Sequence, residues 1–127
     1  MFDHVGYAVT DHAKSCSFYV KALAPLGYTI KMEITPEMTG AGAATGFGID
    51  RPTLWIGEGE KKVKGVHLAF VAKDRATVDA FYKAALEAGG TDNGKPGVRP
   101  HYHENYYGAF VLDPDGNNIE AVCHSPA

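Results

Sequence analysis

The sequence predicts an α+β fold in which two βαβββ modules, related by a pseudo-twofold internal repeat, form an eight-stranded incomplete barrel or cup. The main observation is self-similarity, because residues 4–27 align with residues 67–90 without a gap. The second observation is size: a module of about 60 residues buries little core by itself, so the two modules are expected to pair. The matched positions are His4 with His67, Tyr7 with Phe70, Asp11 with Asp74, Phe18-Tyr19 with Phe81-Tyr82, Leu23 with Leu86, and Gly27 with Gly90.

Each copy has the same order of elements. A β-branched and aromatic run, at 2–9 and at 66–72, predicts a strand, and the aspartate that follows can cap a helix. Each helix carries apolar residues at helical spacing and ends at a glycine, Gly27 or Gly90, which suits a left-handed terminal residue. Further strands are predicted at 29–34, 43–49 and 53–57, then at 91–95 (weakly), 107–112 and 119–123. The first module thus covers residues 1–60 and the second 61–127, within one compact domain.

The composition excludes several classes of function. The chain has 127 residues, 45% of them hydrophobic, and a formal net charge of −3. It contains no apolar run near the ~18 residues of a membrane span and no lysine or arginine cluster, so we expect neither a membrane nor a nucleic-acid partner. No secretory signal is visible, which predicts a cytoplasmic protein. Cys16 and Cys123 are therefore expected to be reduced and buried rather than joined in a disulfide.

Three residues predict a metal site. His4 and His67 occupy equivalent positions on the first strands of the two modules, and pairing about a twofold axis can aim both imidazoles at that axis. Glu120 carries a charge within the apolar strand "IEAVC", where a buried carboxylate needs a partner. Two histidines and one carboxylate bind a divalent ion such as Fe or Mn and leave positions open for a substrate with two neighbouring oxygens.

The stretches "DHVGYAV" at 3–9, "GVHLAFVAKD" at 65–74 and "FVLDPDGNNIEAV" at 110–122 resemble the vicinal oxygen chelate superfamily. That superfamily includes glyoxalase I, extradiol dioxygenases, fosfomycin-resistance transferases and bleomycin-resistance binding proteins. The resemblance covers almost the whole chain. It implies the paired βαβββ architecture and places one divalent metal ion (Fe, Mn, Zn or Ni) at His4, His67 and Glu120.

The chain departs from the glyoxalase I pattern at one position. Glyoxalase I has a fourth protein ligand on the last strand of its first module, where alignment of the two halves places Trp55 opposite Glu120. Glu58, three residues further on, would reach the site only through a register shift. The sequence therefore predicts three protein ligands, with Trp55 as a wall of the substrate pocket or as a core residue.

The segment "GKPGVRPHYHENYYG" at 94–108 predicts the rim of the pocket, because irregular segments rich in aromatic and titratable residues often carry ligand contacts. Together with Glu120, His101 and His103 are candidates for a general acid or base, unless they belong to an exposed loop. Tyr106 or Tyr107 can donate a hydrogen bond to an oxyanion, and Arg99 can bind an anionic tail. Rim packing is the alternative for all three.

By resemblance, the function is a metal-dependent, glyoxalase-like lyase or isomerase reaction on a small molecule that chelates the metal through adjacent oxygens. Extradiol ring cleavage is a second enzymatic hypothesis. A metal-free, bleomycin-resistance-type binding protein is the alternative from a different class. A homodimer is expected, with the site formed either within a chain or between two chains.

Overall fold

The computed structural model describes residues 2–40, 42–59 and 64–127. The predicted module boundary between residues 60 and 61 lies outside that range. The first module contains β1 (Val5–Ala8), α1 (His12–Ala22), a 3-10 turn (Ala24–Leu26), β2 (Thr29–Ile34), α2 (Pro36–Thr39), β3 (Ala44–Gly48) and β4 (Pro52–Gly57). The second contains β5 (His67–Val71), α3 (Arg75–Glu87), β6 (Thr91–Val98), β7 (Tyr107–Leu112) and β8 (Asn118–Cys123).

The eight strands form two four-stranded sheets, with the orders β1-β4-β3-β2 and β5-β8-β7-β6. In each sheet the first and last strands of the module pair in parallel and the other pairs are antiparallel. The sheets do not close, so β1 and β5 each end a sheet. This confirms the predicted pair of βαβββ modules in an incomplete barrel. Within the described residues, no helix is long and apolar enough to cross a membrane.

The predicted caps place both long helices. The carboxylates of Asp11 and Asp74 each accept a hydrogen bond from the backbone N–H three residues on. Gly27 is left-handed, with φ 83°, after the 3-10 turn. In the second module the left-handed residue is Gly89, with φ 99°, so the prediction of Gly90 was wrong by one position. Gly90 instead allows close packing, since a Cβ there would lie 2.4 Å from Val111 Cγ1.

One hydrophobic core joins the two modules, with α1 packed beside α3. A buried polar link crosses it: the Tyr19 hydroxyl donates to Asp113 Oδ2 at 2.5 Å. The other oxygen of Asp113 accepts from the backbone N–H groups of Asp115 and Asn117, which holds the turn before β8. The helices and this turn therefore fix how the modules dock, and the sheet faces that point away from the helices stay available for a site.

Candidate metal site

Glu120 is the buried charge of the site. Its neighbours Ile119 and Ala121 pack into the core, so the Glu120 side chain projects to the other face of the sheet, where it is 1% exposed. Oε1 lies 2.8 Å from His67 Nε2, and Oε2 accepts a hydrogen bond from the Tyr106 hydroxyl. Its partners are thus an imidazole and a phenol rather than a lysine or arginine.

Neighbouring strands shape the space around this carboxylate. Gly108 lies beside it on β7, and a Cβ there would be 3.3 Å from Glu120 Oε2 and 3.1 Å from Tyr106 Cε1. Phe110 is the cross-strand partner of Glu120, and its ring centroid is 6.3 Å from that of His67. A glycine that leaves room and a phenylalanine that packs beside the imidazole together position the His67–Glu120 pair.

His4 lies one residue before β1 and is oriented by a carboxylate. Its Nδ1 is 2.7 Å from Asp3 Oδ1, and Arg51 Nη1 is 3.4 Å from the same oxygen. The hydrogen bond from His4 and the charge of Arg51 lower the pKa of Asp3. A carboxylate on one ring nitrogen leaves the other, Nε2, directed for a ligand, which is the arrangement typical of metal-binding histidines.

One chain does not gather the three predicted ligands. In residues 2–40, 42–59 and 64–127, no group of three His, Cys, Asp or Glu side chains is close enough to hold a metal. His4 and His67 line one cavity of about 670 Å³, and His67 and Glu120 line a second of about 520 Å³. His67 therefore stands where the two cavities meet. The three-residue metal site remains a prediction.

The rim contributes a cluster of aromatic rings, packed at tilted and edge-to-face angles, to the cavity that Glu120 also lines. His101, Tyr102 and Tyr106 line the smaller cavity, with ring centroids 4.2 Å apart for the first pair and 5.0 Å for the second. Burial and the hydrogen bond to Glu120 raise the pKa of Tyr106, so its hydroxyl remains a donor at neutral pH. His103 instead packs against the His124 ring, with centroids 5.7 Å apart.

The structure places two other candidates away from this cavity. The Tyr107 hydroxyl donates to Asp79 Oδ1 at 2.7 Å, on the α3 side of the sheet and therefore on the face opposite Glu120. The Arg99 guanidinium donates to three backbone carbonyls, those of Lys95, Gly97 and Gly108. Tyr107 thus packs towards a helix, and Arg99 braces the β6–β7 hairpin. A substrate contact by either residue stays a prediction.

Trp55 occupies the position equivalent to Glu120. It pairs with Gly6 on β1, whereas Glu120 pairs with Ala69 on β5, and Gly6 and Ala69 are matched by the internal repeat. Two glycines make room for it: a Cβ on Gly46 would lie 2.9 Å from Trp55 Cζ2, and one on Gly6 would lie 3.2 Å from Trp55 Cβ. Glu58 accepts from the Ala43 N–H at 2.8 Å. In the first module an indole stands where the second has a carboxylate.

The fold described above agrees with the comparisons to known proteins. The sequence model of the Glyoxalase/Bleomycin resistance protein/Dioxygenase superfamily matches residues 1–121. The chain belongs to this superfamily. A search of curated proteins found no match.

Solved structures of superfamily proteins share the architecture. A glyoxalase/bleomycin resistance protein from Albidiferax ferrireducens T118 is 28% identical, with a TM-score of 0.81 over 98% of this chain and 99% of its own. A hypothetical protein from S. aureus is 26% identical, with a TM-score of 0.67 over 93% and 92%. Glyoxalase I from Zea mays is 17% identical, with a TM-score of 0.72, and shares the fold; the match covers 99% of this chain but 45% of the maize chain.

Two residues of this superfamily member escaped the sequence analysis. Asp3 orients His4 through a hydrogen bond. In the sequence, the only indication of this role is that Asp3 directly precedes a candidate ligand. Gly108 gives Glu120 its space, and its signal was a glycine inside a predicted strand, where close approach of another group is a common reason.

Proposed function

We propose that this protein is a metal-dependent, glyoxalase-like lyase or isomerase that moves a proton within a small substrate bound through two adjacent oxygens. The observation that carries the proposal is Glu120, a carboxylate 1% exposed whose partners are His67 and Tyr106. Burying an ionised carboxylate is costly unless a cation pairs with it. A divalent ion bound by these side chains would supply that cation.

The residues present fit such an ion. His67 and Glu120 are already adjacent, and Asp3 holds His4 with Nε2 available. Imidazole and carboxylate suit Fe, Mn, Zn or Ni, and a three-ligand set leaves room for substrate oxygens. A bound ion would supply Lewis acidity, which polarises a carbonyl and acidifies the adjacent C–H.

We propose that a second copy of the chain completes the site and that the protein is a homodimer. No strand pairing joins β1 to β5 among the described residues, so both edges are open. Large apolar side chains near the larger cavity are exposed, including Phe2 at 92%, Val71 at 79% and Ile49 at 55%. An interface there would cover these side chains and bring His4 of one protomer to His67 and Glu120 of its partner.

The chain's own groups have separate roles in this proposal. His101 lines the cavity beside Glu120 and is the base that removes a proton from the substrate carbon and returns it to a neighbouring one. Tyr106 donates a hydrogen bond, first to Glu120 and then to a substrate oxygen that gains negative charge. The apolar wall of the larger cavity, with Leu68 and Phe70, limits water access.

The free cysteines Cys16 and Cys123 are in keeping with a cytoplasmic location.

Metal content tests the first part of the proposal. In a Cys16→Ser background, which removes the thiolate of the second candidate site described below, protein loaded with each of Fe, Mn, Zn and Ni should retain about one ion per chain. His67→Gln and Glu120→Gln should lose it, whereas the matched rim variant His101→Gln should keep it. Cys16→Ser protein that stays empty after loading would contradict the metal site.

Mixed dimers test whether the site spans two chains. In the same Cys16→Ser background, His4→Ala and Glu120→Gln proteins each lack a ligand in every site, so each should be empty alone. When they are unfolded and refolded together in equal amounts, a site shared between chains restores about a quarter of the metal content of Cys16→Ser protein, since half of the dimers are mixed and each has one intact site. A site confined to one chain restores none.

Proton transfer is tested in D2O with a panel of α-hydroxyketones. Loaded enzyme should exchange the hydrogen on the carbon next to the carbonyl, followed by proton NMR, and His101→Gln should slow that exchange by about 10²-fold or more. Because His101→Gln keeps its metal, loss of exchange separates the base from the metal ligands. No exchange with any member of the panel would argue against this reaction type.

A metal-free binding protein is the second candidate. The larger cavity, with its many apolar lining residues, favours it, as does the separation of His4 from the His67–Glu120 pair. This candidate predicts that an aromatic ligand binds equally well with and without a chelator, whereas the enzyme proposal requires the ion.

A further inference from the structure

A second cluster of side chains of metal-binding types lies between α1 and β3, on the face of the first sheet opposite Trp55. His12 and Cys16 are one turn apart on α1, so their side chains share a face. His12 Nε2 is 3.4 Å from Cys16 Sγ, and Thr45 Oγ1 lies 3.0 Å from the first atom and 3.3 Å from the second. A nitrogen, a sulfur and an oxygen thus form a nearly equilateral triangle.

This cluster is separate from the candidate metal site. Thr45 lies on β3 with its side chain towards α1, 1% exposed, whereas the next residue, Gly46, packs against Trp55 on the opposite face. Neither His12 nor Cys16 is among the residues that line the two cavities. Both residues are half-buried.

We propose that His12 and Cys16 are ligands of a second divalent-metal site, of the zinc type, with Glu33 as the third protein ligand. A zinc ion bound tetrahedrally to a thiolate and an imidazole holds the sulfur and nitrogen about 3.6 Å apart, from ordinary Zn–S and Zn–N lengths. The observed 3.4 Å is within about 0.2 Å of that separation, so the two side chains need little movement to bind.

Glu33 is placed to join them. It is the cross-strand partner of Thr45 on the edge strand β2, so its side chain shares the face that α1 covers. Its charge also acts on the thiol: burial raises the pKa of Cys16, the hydrogen bond with Thr45 opposes the rise, and Glu33 adds to it. In the described part of the chain no third His, Cys, Asp or Glu side chain is close enough to the pair to hold a metal with it, so the exposed Glu33 side chain would have to change rotamer to complete the site.

The binding step balances simply. The S–H bond of Cys16 breaks, a sulfur–metal bond forms, and the proton leaves to solvent. His12 binds through the Nε2 lone pair with its proton on Nδ1, and Thr45 donates a hydrogen bond to the thiolate. The ion would then connect α1 to the β2–β3 hairpin.

Cobalt reports the thiolate ligand directly. Co²⁺ added to the purified protein should give a thiolate-to-cobalt charge-transfer band in the near ultraviolet. The first candidate site contains no sulfur, so the band cannot come from it, and Glu120→Gln should show the band unchanged. Cys123→Ala is the matched thiol control and should also keep it, while Cys16→Ser should lose it.

Two further variants test the other ligands. His12→Gln and Glu33→Gln should each weaken cobalt binding by about tenfold or more. Loss of a residue that only supports a metal ligand already has an effect of that size, and loss of a ligand should have at least as large an effect. Zn²⁺ should abolish the band by competition. Far-ultraviolet circular dichroism checks folding, with Cys16→Ala in place of Cys16→Ser if the latter does not fold. Absence of the band in the presence of excess cobalt, or its persistence in Cys16→Ser, would overturn the proposal, and unchanged binding by Glu33→Gln would overturn the assignment of the third ligand.

Discussion

Glu120→Gln should change stability in opposite directions with and without metal. In metal-free protein the buried carboxylate has only an imidazole and a phenol as partners. Glutamine keeps both bonds: its carbonyl oxygen accepts from Tyr106, and its amide donates to the lone pair of a neutral His67. The substitution removes a buried charge without leaving a polar atom unpaired.

The magnitude follows from this exchange. Replacing a buried ion pair by well-packed apolar residues is often neutral or stabilising by about 1–4 kcal/mol, and we expect a gain of about 1 kcal/mol for removing this one charge, because two hydrogen bonds already help the carboxylate. A gain of about 1 kcal/mol raises the Tm of a domain of this size by about 4 °C. Metal at 100 times its Kd for this site should stabilise native protein by about 2.7 kcal/mol more than it stabilises Glu120→Gln.

Thermal unfolding in chelator and in metal measures both effects. The scans belong at pH 8, where histidine side chains are ordinarily neutral, so that an imidazolium does not complicate the comparison. Glu120→Gln should melt higher than native protein in chelator and lower in metal. The matched control is Glu87→Gln, which makes the same carboxylate-to-amide change at the exposed end of α3 and should change stability by less than about 0.5 kcal/mol in either scan.

A lower Tm for Glu120→Gln in chelator would refute the reasoning. The carboxylate would then be a structural anchor for His67 and Tyr106, and its burial would no longer indicate a missing cation.

Three further predictions concern the framework. Tyr19→Phe removes the 2.5 Å bond to buried Asp113 and should cost about 2 kcal/mol in urea unfolding, whereas Tyr82→Phe, which loses a surface bond, should stay within about 0.5 kcal/mol. The hydrogen bonds from Thr77 lower the pKa of folded Asp74 below 3.8. Its charge therefore stabilises the fold above that pH, and this stabilisation is lost on acidification. Asp74→Asn should accordingly show a shallower fall in stability as the pH drops below about 4. Asp3→Asn should weaken metal binding by about tenfold or more in calorimetric titration while leaving the fold intact.

The internal repeat made much of the fold predictable. Matching the two halves gave the order of elements, the capping residues Asp11 and Asp74, and the equivalence of Trp55 with Glu120. These features are local or follow from alignment, so a single chain contains the information. The Gly89 and Gly90 error shows the limit, because either of two adjacent glycines satisfies the same pattern.

The faces of the rim residues were harder to predict. Tyr106 and Tyr107 are adjacent in sequence, yet one bonds Glu120 and the other bonds Asp79 on the opposite side of the sheet. A shift of one residue reverses the face of a strand, so only the register of β7 decides between them. The partners of Arg99 were equally hard to predict. Its three carbonyl partners lie on β6 and β7, whose pairing contains bulges that the sequence pattern does not indicate.

In the proposed dimer, the position of His4 relative to the other ligands depends on how the sheet edges β1 and β5 dock. The residue pattern of a single strand does not encode that docking. His67 begins β5, but β1 begins only at Val5, so His4 lies outside the ladder that its repeat partner joins. The symmetry of the sequence is therefore broken at one of the three residues of the proposed metal site.

That broken symmetry gives the two halves different tasks. In the second module Gly108, two residues before the cross-strand partner Phe110, leaves space for Glu120, whose charge a cation would balance in the proposed metal site. In the first module Gly6 and Gly46 make room for the indole of Trp55, which demands none. If both modules had kept carboxylates, two buried charges would share one ion, and fewer positions would remain for substrate. In the proposed metal site, an indole in place of the second carboxylate would leave the ion more open and its surroundings more apolar, a combination that suits a small chelating substrate with an apolar substituent.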